Sequence, residues 1–213
     1  MTLFVDGVHL LKASENEPDY DVSASMARGS LACTMMIPEV VANVLIETLS
    51  LESSVFGDVD RMSAIGKFDF FLRTNFRSRK LERGMRPVQA LQELKRLRDV
   101  FVHPKPQEVH WTPSEDETYM GESGRTPILD MSKNPTSWYS EDAIHAMRAV
   151  HSFLAFYFKD LCGYSKGHVS NLLFSKDAVP DKGAGIYHLF YRHFVGSLKK
   201  WEVDISYLKI GVV

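Results

Sequence analysis

The sequence predicts a mainly α-helical protein, a bundle of about five helices with a small β-hairpin or strand appendage near the termini. Three observations carry this. Apolar residues recur at helical spacing in several long stretches, clearest at Ala90, Leu94, Leu97, Phe101 and at Ala143, Met147, Val150, Leu154. Prolines and glycines fall mostly between those stretches. Strand signals are confined to the two ends, an Asp-Gly turn between short apolar runs at one and apolar–polar alternation at the other. With 45% apolar and 24% charged residues over 213 positions, the chain has the composition of a folded domain able to bury its own core, which excludes disorder throughout. A single domain over 1–213 is expected, with a core over about 23–161, a hairpin over 1–12 and a helical extension over 162–213.

Leu3-Phe4-Val5 and Val8-His9-Leu10-Leu11 flank Asp6-Gly7, a pair suited to a two-residue hairpin turn because glycine accepts positive φ. Residues 12–22 read as a polar loop. Ser23 or Ser25 caps a first long helix running to about Phe56 along Leu31, Met35, Ala42, Leu45 and Leu49, with Pro38 expected to kink or restart it. A second helix over about 60–76 carries Ile65, Phe68, Leu72 and Phe76, and 77–84 is a basic connector. The third helix begins at Pro87, where a missing N–H costs nothing, and stops at Pro104. A residue before proline is pushed out of the α region, so His103 belongs to the frayed C-terminal end. Residues 104–139, rich in proline and acids, read as a long loop, with 106–138 mobile or partner-binding rather than core. Ser140 starts a fourth helix to Leu161, 162–183 reads as a polar loop, and a fifth, aromatic helix runs from about Ala184 to Lys200. Trp201, Val203, Ile205 and Tyr207 alternate with polar residues, as in a strand that pairs with the N-terminal hairpin.

The net charge of −2 hides a segregation. Residues 73–105 hold ten bases against three acids, and residues 1–61 hold ten acids against three bases. Such a basic stripe either binds phosphates or pairs with the acidic half of the same protein. The two cysteines, Cys33 and Cys162, read as buried reduced thiols, and no CxxC occurs. No basic leader is seen, and the apolar run over 31–51 is interrupted by Pro38, Glu39, Asn43 and Glu47, so a cytoplasmic protein with no membrane partner is expected.

Arg98 and His103 form the candidate chemical site. A guanidinium is permanently charged and suits a phosphate in a crowded transition state. An imidazole takes and returns a proton near neutral pH, and the carbonyls of a helix C-terminus favour its protonated form. The spacing is not selective by itself: twelve arginines and eight histidines give about 0.45 chance pairs at one fixed separation. A helix-capping histidine beside a surface arginine fits the same residues. His145 and His151 lack metal-ligand partners at i+3 or i+4, and His188 and His193 read as packing residues. Gly183-Ala184-Gly185 lacks the setting of a phosphate loop.

The run Leu94-Lys95-Arg96-Leu97-Arg98-Asp99, closed by His103-Pro104, resembles the HEPN superfamily (higher eukaryotes and prokaryotes nucleotide-binding domains), with its R-x4–6-H motif at the end of a core helix. The segments over 38–47 and 65–72 look like that family's first two helices, so the resemblance spans about 23–161. An asparagine is common where Asp99 stands, and Lys105 occupies the place of a tyrosine found in toxins paired with a nucleotidyltransferase. The resemblance implies a HEPN-like bundle and a metal-independent endoribonuclease that uses the ribose 2′-OH as nucleophile, in the role of a toxin or a phage-defence effector. It implies Arg98, His103 and Asp99 as catalytic residues, Arg96, Lys95 and Lys105 as RNA-phosphate contacts, and no cofactor or metal. Each chain offers one histidine where acid and base are both needed, so a homodimer is expected, together with RNA and a regulatory protein or antitoxin as partners. The alternatives are a non-catalytic nucleotide- or RNA-binding regulatory module and a purely structural dimerisation domain.

Overall fold

The computed structural model describes residues 2–104, 110–113, 119–174, 179–181 and 185–213. The fold class is mainly α with a small strand appendage. Helices α1 (Thr2–Asn16), α2 (Tyr20–Glu47), α3 (Ser53–Asp60), α4 (Ala64–Asn75), α5 (Arg86–Val102), α6 (Ser140–Ala155), α7 (Lys166–Phe174) and α8 (Arg192–Lys200) surround one continuous apolar core. Strands β1 (His110–Pro113) and β2 (Tyr119–Glu122) form an antiparallel ribbon. Strands β3 (Val179–Asp181), β4 (Gly185–Phe190) and β5 (Ile210–Val212) form a second small sheet in which β4 pairs antiparallel with β3 and parallel with β5.

The N-terminal hairpin expected over 1–12 is instead α1. Phe4, Val8 and Leu11 lie at i, i+4 and i+7 and are all buried, so helical period wins over the Asp-Gly turn signal. Gly7 lies where α1 crosses α2 rather than in a turn. A Cβ there would stand 3.4 Å from Thr34 Oγ1 and 3.6 Å from the Cys33 Cβ. The crossing is sealed by the Ser30 hydroxyl, which donates to the Gly7 carbonyl at 2.7 Å.

Central α2 starts at Asp19, whose side chain accepts from the Asp21 and Val22 amides at 3.0 Å. It ends at Glu47, short of the expected Phe56, which belongs to α3. Pro38 lies buried within α2, and the helix continues through it because α1, α4 and α6 pack around the helix on several sides. By length and composition α2 could cross a membrane, yet 56% of its most apolar stretch is buried inside this fold.

Helix α5 follows the proline logic, with Pro87 in its first turn and its end at Val102. The fourth helix also lies where expected: α6 runs into a π-helical turn, Phe156–Leu161, in which the Tyr157 hydroxyl donates to the Phe68 carbonyl at 2.9 Å. The C-terminal expectations need correction. Residues 166–174 form α7 inside the stretch read as loop, the first half of the expected fifth helix is β4, and 201–207 is a turn whose Trp201, Val203 and Tyr207 are buried. The strand that does form there, β5, pairs with β4, since α1 leaves no N-terminal strand to meet it.

The stretch 123–138 is also corrected from mobile loop to core. Leu129, Met131 and Trp138 are buried. Buried Glu93 on α5 accepts the Ile128 and Leu129 amides at 3.1 and 2.7 Å. Buried Asp142 accepts the Ser132 and Tyr139 amides, both at 3.1 Å. Two carboxylates thus replace the ladder partners that an irregular segment lacks.

Candidate functional site

The motif occupies the last two turns of α5. His103 is its C-cap, with φ −125° and ψ 72°, outside the α region as the following Pro104 requires. Its amide donates to the Asp99 carbonyl at 2.9 Å, while its imidazole is exposed and has no hydrogen-bond partner among the described residues. Around it the helix end is apolar and open: Val102 is 57% exposed and Phe101 36%, the latter touching the Trp138 ring at 5.4 Å.

Arg98 points elsewhere. Five residues correspond to about 140° around a helix, so its side chain leaves α5 on another face from the direction in which the chain carries His103. It lines a small cavity of about 50 Å³ with Lys95 and Leu94 of α5, Met35 and Glu39 of α2, and Ser63 and Ala64 at the start of α4. His103 does not line that cavity.

Asp99 joins the two cations of this wall. Its carboxylate accepts from Lys95 Nζ at 2.6 Å and from Arg98 Nη2 at 3.0 Å. The Lys95 hydrogen bond foremost, and the Arg98 contact after partial desolvation has acted the other way, hold Asp99 below the usual carboxylate range. As an ionised acceptor it orients Arg98, whereas its side chain makes no hydrogen bond to His103 among the described residues.

Of the expected phosphate contacts, Lys95 and Arg96 are exposed, and Lys105 lies outside the described residues. Arg96 faces away from Arg98, into a recess shared with Leu97, Val100 and Pro127. The basic run is therefore spread over several faces of α5 rather than drawn into one stripe. Its ion pairs are local, Arg73 with Asp69, Lys80 with Glu82, and Lys95 and Arg98 with Asp99. Arg77, Arg83, Arg86 and Arg96 have no acidic partner among the described residues. Pairing with the acidic N-terminal half is not how this charge is balanced.

One cluster beside the cavity had no role in the sequence reading. The Lys67 ammonium, with its side chain 3% exposed, donates to Asn43 Oδ1 at 2.7 Å, Glu39 Oε1 at 2.9 Å and Asp60 Oδ1 at 3.4 Å. Glu39 and Asn43 stand one turn apart on α2, which is the signal that would have revealed it. Glu39 thereby presents an anchored carboxylate across the cavity from Arg98.

No protein-family model matches the chain, and comparison with curated proteins and with solved structures gave no match. The chemistry of the site rests on its own residues. Among the described residues no three His, Cys, Asp or Glu side chains gather as a metal-ligand set. What the arrangement offers is an oriented guanidinium, a neighbouring ammonium and an exposed, unengaged imidazole at one end of a rigid helix.

The other histidines divide by environment. His151 is buried, with its Nδ1 2.9 Å from the Tyr207 hydroxyl and its ring 4.5 Å from Phe4. Burial pushes it down to about 3, so it stays neutral. His188 stacks on Phe174 at 4.9 Å and His193 on Tyr191 at 5.6 Å. Burial raises the Cys162 thiol to about 12, while Cys33 is only half-buried, against the expectation of two buried thiols.

Proposed function

We propose that the chain is a metal-independent endoribonuclease of HEPN type, acting as a toxin or a phage-defence effector. The observation that supports the reading is that His103 and Arg98 both lie in the last two turns of a core helix with neither side chain given over to the core, the imidazole unengaged among the described residues and the guanidinium oriented by Asp99. In this mechanism Arg98, with Lys95 beside it, holds the non-bridging oxygens of the scissile phosphate and offsets the charge of the pentacoordinate transition state. The ribose 2′-OH attacks phosphorus, and the bond to the 5′-oxygen breaks. His103 accepts the 2′-OH proton or protonates the leaving 5′-oxygen. The products are a 2′,3′-cyclic phosphate and a free 5′-OH.

One imidazole serves one of those two proton transfers. A homodimer whose α5 ends face each other supplies the second, and the exposed Phe101 and Val102 give that contact apolar surface. The protein is expected in the cytoplasm, with RNA as substrate and a regulatory protein or antitoxin as a further partner. The decisive experiment is incubation of single-stranded RNA, and of DNA of the same sequence, with the full chain in EDTA. RNA should be cut, DNA should stay intact, and the new ends should carry the cyclic phosphate or its hydrolysed form.

A second reading is a non-catalytic module that binds nucleotide or RNA and regulates a partner. It is favoured by the divergence of the two side chains, since Arg98 lines the cavity toward α2 and α4 and His103 does not. Binding of RNA without cleavage under any condition would establish that reading instead.

A further inference from the structure

At the opposite end of α5, about 18 Å from Arg98 by helical rise, lies a recess of about 450 Å³. That volume falls within the range of roughly 300–1,000 Å³ typical of small-molecule sites. One wall is a stripe of α6, with His145, Arg148, Ala149 and Ser152 at i, i+3, i+4 and i+7. The facing wall is the start of α5, with Arg86, Pro87 and Ala90, and the turn over 128–130 closes one side.

Two arginines at this recess keep donors uncommitted. Arg86 is exposed and makes no ion pair among the described residues. Arg148 is held in place, its Nε donating to the Trp201 carbonyl at 2.6 Å and its Nη2 pairing with Glu202 at 3.0 Å, which leaves Nη1 uncommitted. His145 also lines the recess, while its buried Nδ1 has no hydrogen-bond partner among the described residues. The acids nearby are already engaged, Asp130 with Arg125 at 2.6 Å and Glu202 with Arg148. Between these groups the walls are apolar, from Pro87, Ala90, Leu129 and Ala149.

We propose that this recess binds a small phosphate monoester carrying an apolar or planar body. Arg86 grips the phosphate oxygens as a forked donor, and Arg148 adds its remaining Nη1. His145 and Ser152 complete the polar contacts, and the body lies along Pro87 and Ala149. A ligand so placed bridges α5, α6 and the 128–130 turn. The site is separate from Arg98, and the proposal stands whether or not the chain cleaves RNA.

The test is calorimetric titration of the full chain with adenosine 5′-monophosphate, adenosine and inorganic phosphate, alongside melting curves. The monophosphate should bind saturably and raise the melting temperature. Arg86→Ala, at an exposed position, should weaken it on the order of tenfold through loss of charge-assisted hydrogen bonds. His145→Phe should weaken it as well, and Arg98→Ala should leave it unchanged. Adenosine should bind at least about tenfold more weakly for want of the charged group. Absence of saturable binding at millimolar monophosphate, or equal binding by wild type and Arg86→Ala, would overturn the site. Loss in Arg98→Ala alone would move the ligand to the other end of α5 and overturn it too. Inorganic phosphate binding as tightly as the monophosphate would overturn the apolar-body part of the proposal.

Discussion

His103 and His151 show what environment does to one side chain. His103 caps the exposed end of α5, and its imidazole has no hydrogen-bond partner among the described residues. His151 lies between Phe4 and Tyr207 in the core, with its proton affinity lowered by burial. Chemistry on a bound substrate needs a side chain that reaches it, and a fully buried imidazole cannot. The second contributes to stability by staying neutral. Arg98 and Lys67 repeat the contrast beside one cavity: the arginine is partly exposed, while the lysine is buried and held by three acceptors.

The largest expected effect separates function from stability. Arg98→Ala and His103→Ala should each lower RNA cleavage by on the order of 10²-fold or more while leaving the melting temperature nearly unchanged, because neither side chain belongs to the core. Cleavage rates in EDTA measured beside melting curves decide it. Two folded variants that cut RNA at the wild-type rate would remove these residues from the mechanism. Lys67→Ala should behave oppositely. It should cost about 3 kcal/mol in denaturant unfolding, the low end for breaking a buried ion pair, because Glu39 and Asp60 still reach water. An unchanged unfolding midpoint would show that the cluster is not structural.

His151 sharpens the comparison through pH. Its folded-state value, about 3, lies below the ordinary histidine value of about 6.5. Between these values the unfolded chain takes up a proton that the folded chain refuses. Its contribution is complete above about pH 6.5 and is lost by about 1.4 kcal/mol per pH unit as the pH falls toward 3. Urea midpoints at pH 7.5, 6.0 and 5.0 should show this acid-side slope, and His151→Asn should flatten it. No difference in slope between the two proteins would mean that His151 opens to water before unfolding.

The smallest effect tests the platform that buries His151. Gly7 lies inside α1, where an added Cβ meets only ordinary contacts, so Gly7→Ala should stabilise by about 0.5–1 kcal/mol through helix propensity. A hairpin turn with positive φ at the same position would make the substitution destabilising, so thermal denaturation of this variant distinguishes the two local structures.

Much of α4, α5 and α6 was legible in the sequence, because each repeats apolar residues over three turns or more and is bounded by a cap, a proline or an acidic first turn. The short segments were not. Leu3–Leu11 carries both an Asp-Gly turn signal and a helical spacing of apolar residues, and only the packing of α1 on α2 chooses between them. The stretch 184–200 is aromatic throughout, so its division into β4 and α8 cannot be seen until β5 offers a partner. Glu93 counted only as charge in the sequence, whereas in the fold it binds two loop amides and turns 128–129 into core.

By itself the sequence determined the helical class, the limits of α5 and the placement of His103 at a non-helical cap. These depend on local properties: spacing along the chain, the missing N–H of proline, and the steric demand Pro104 makes on its neighbour. Tertiary structure alone decided that Arg98 faces α2 across a cavity with Glu39, that Asp99 orients Arg98 rather than His103, and that Lys67 is buried among carboxylates. It alone also brought Arg86 and Arg148 to the rim of one recess. The reason is distance along the chain: residues 28 or 62 positions apart meet only after the helices between them have packed, and which faces meet depends on how all the helices pack together.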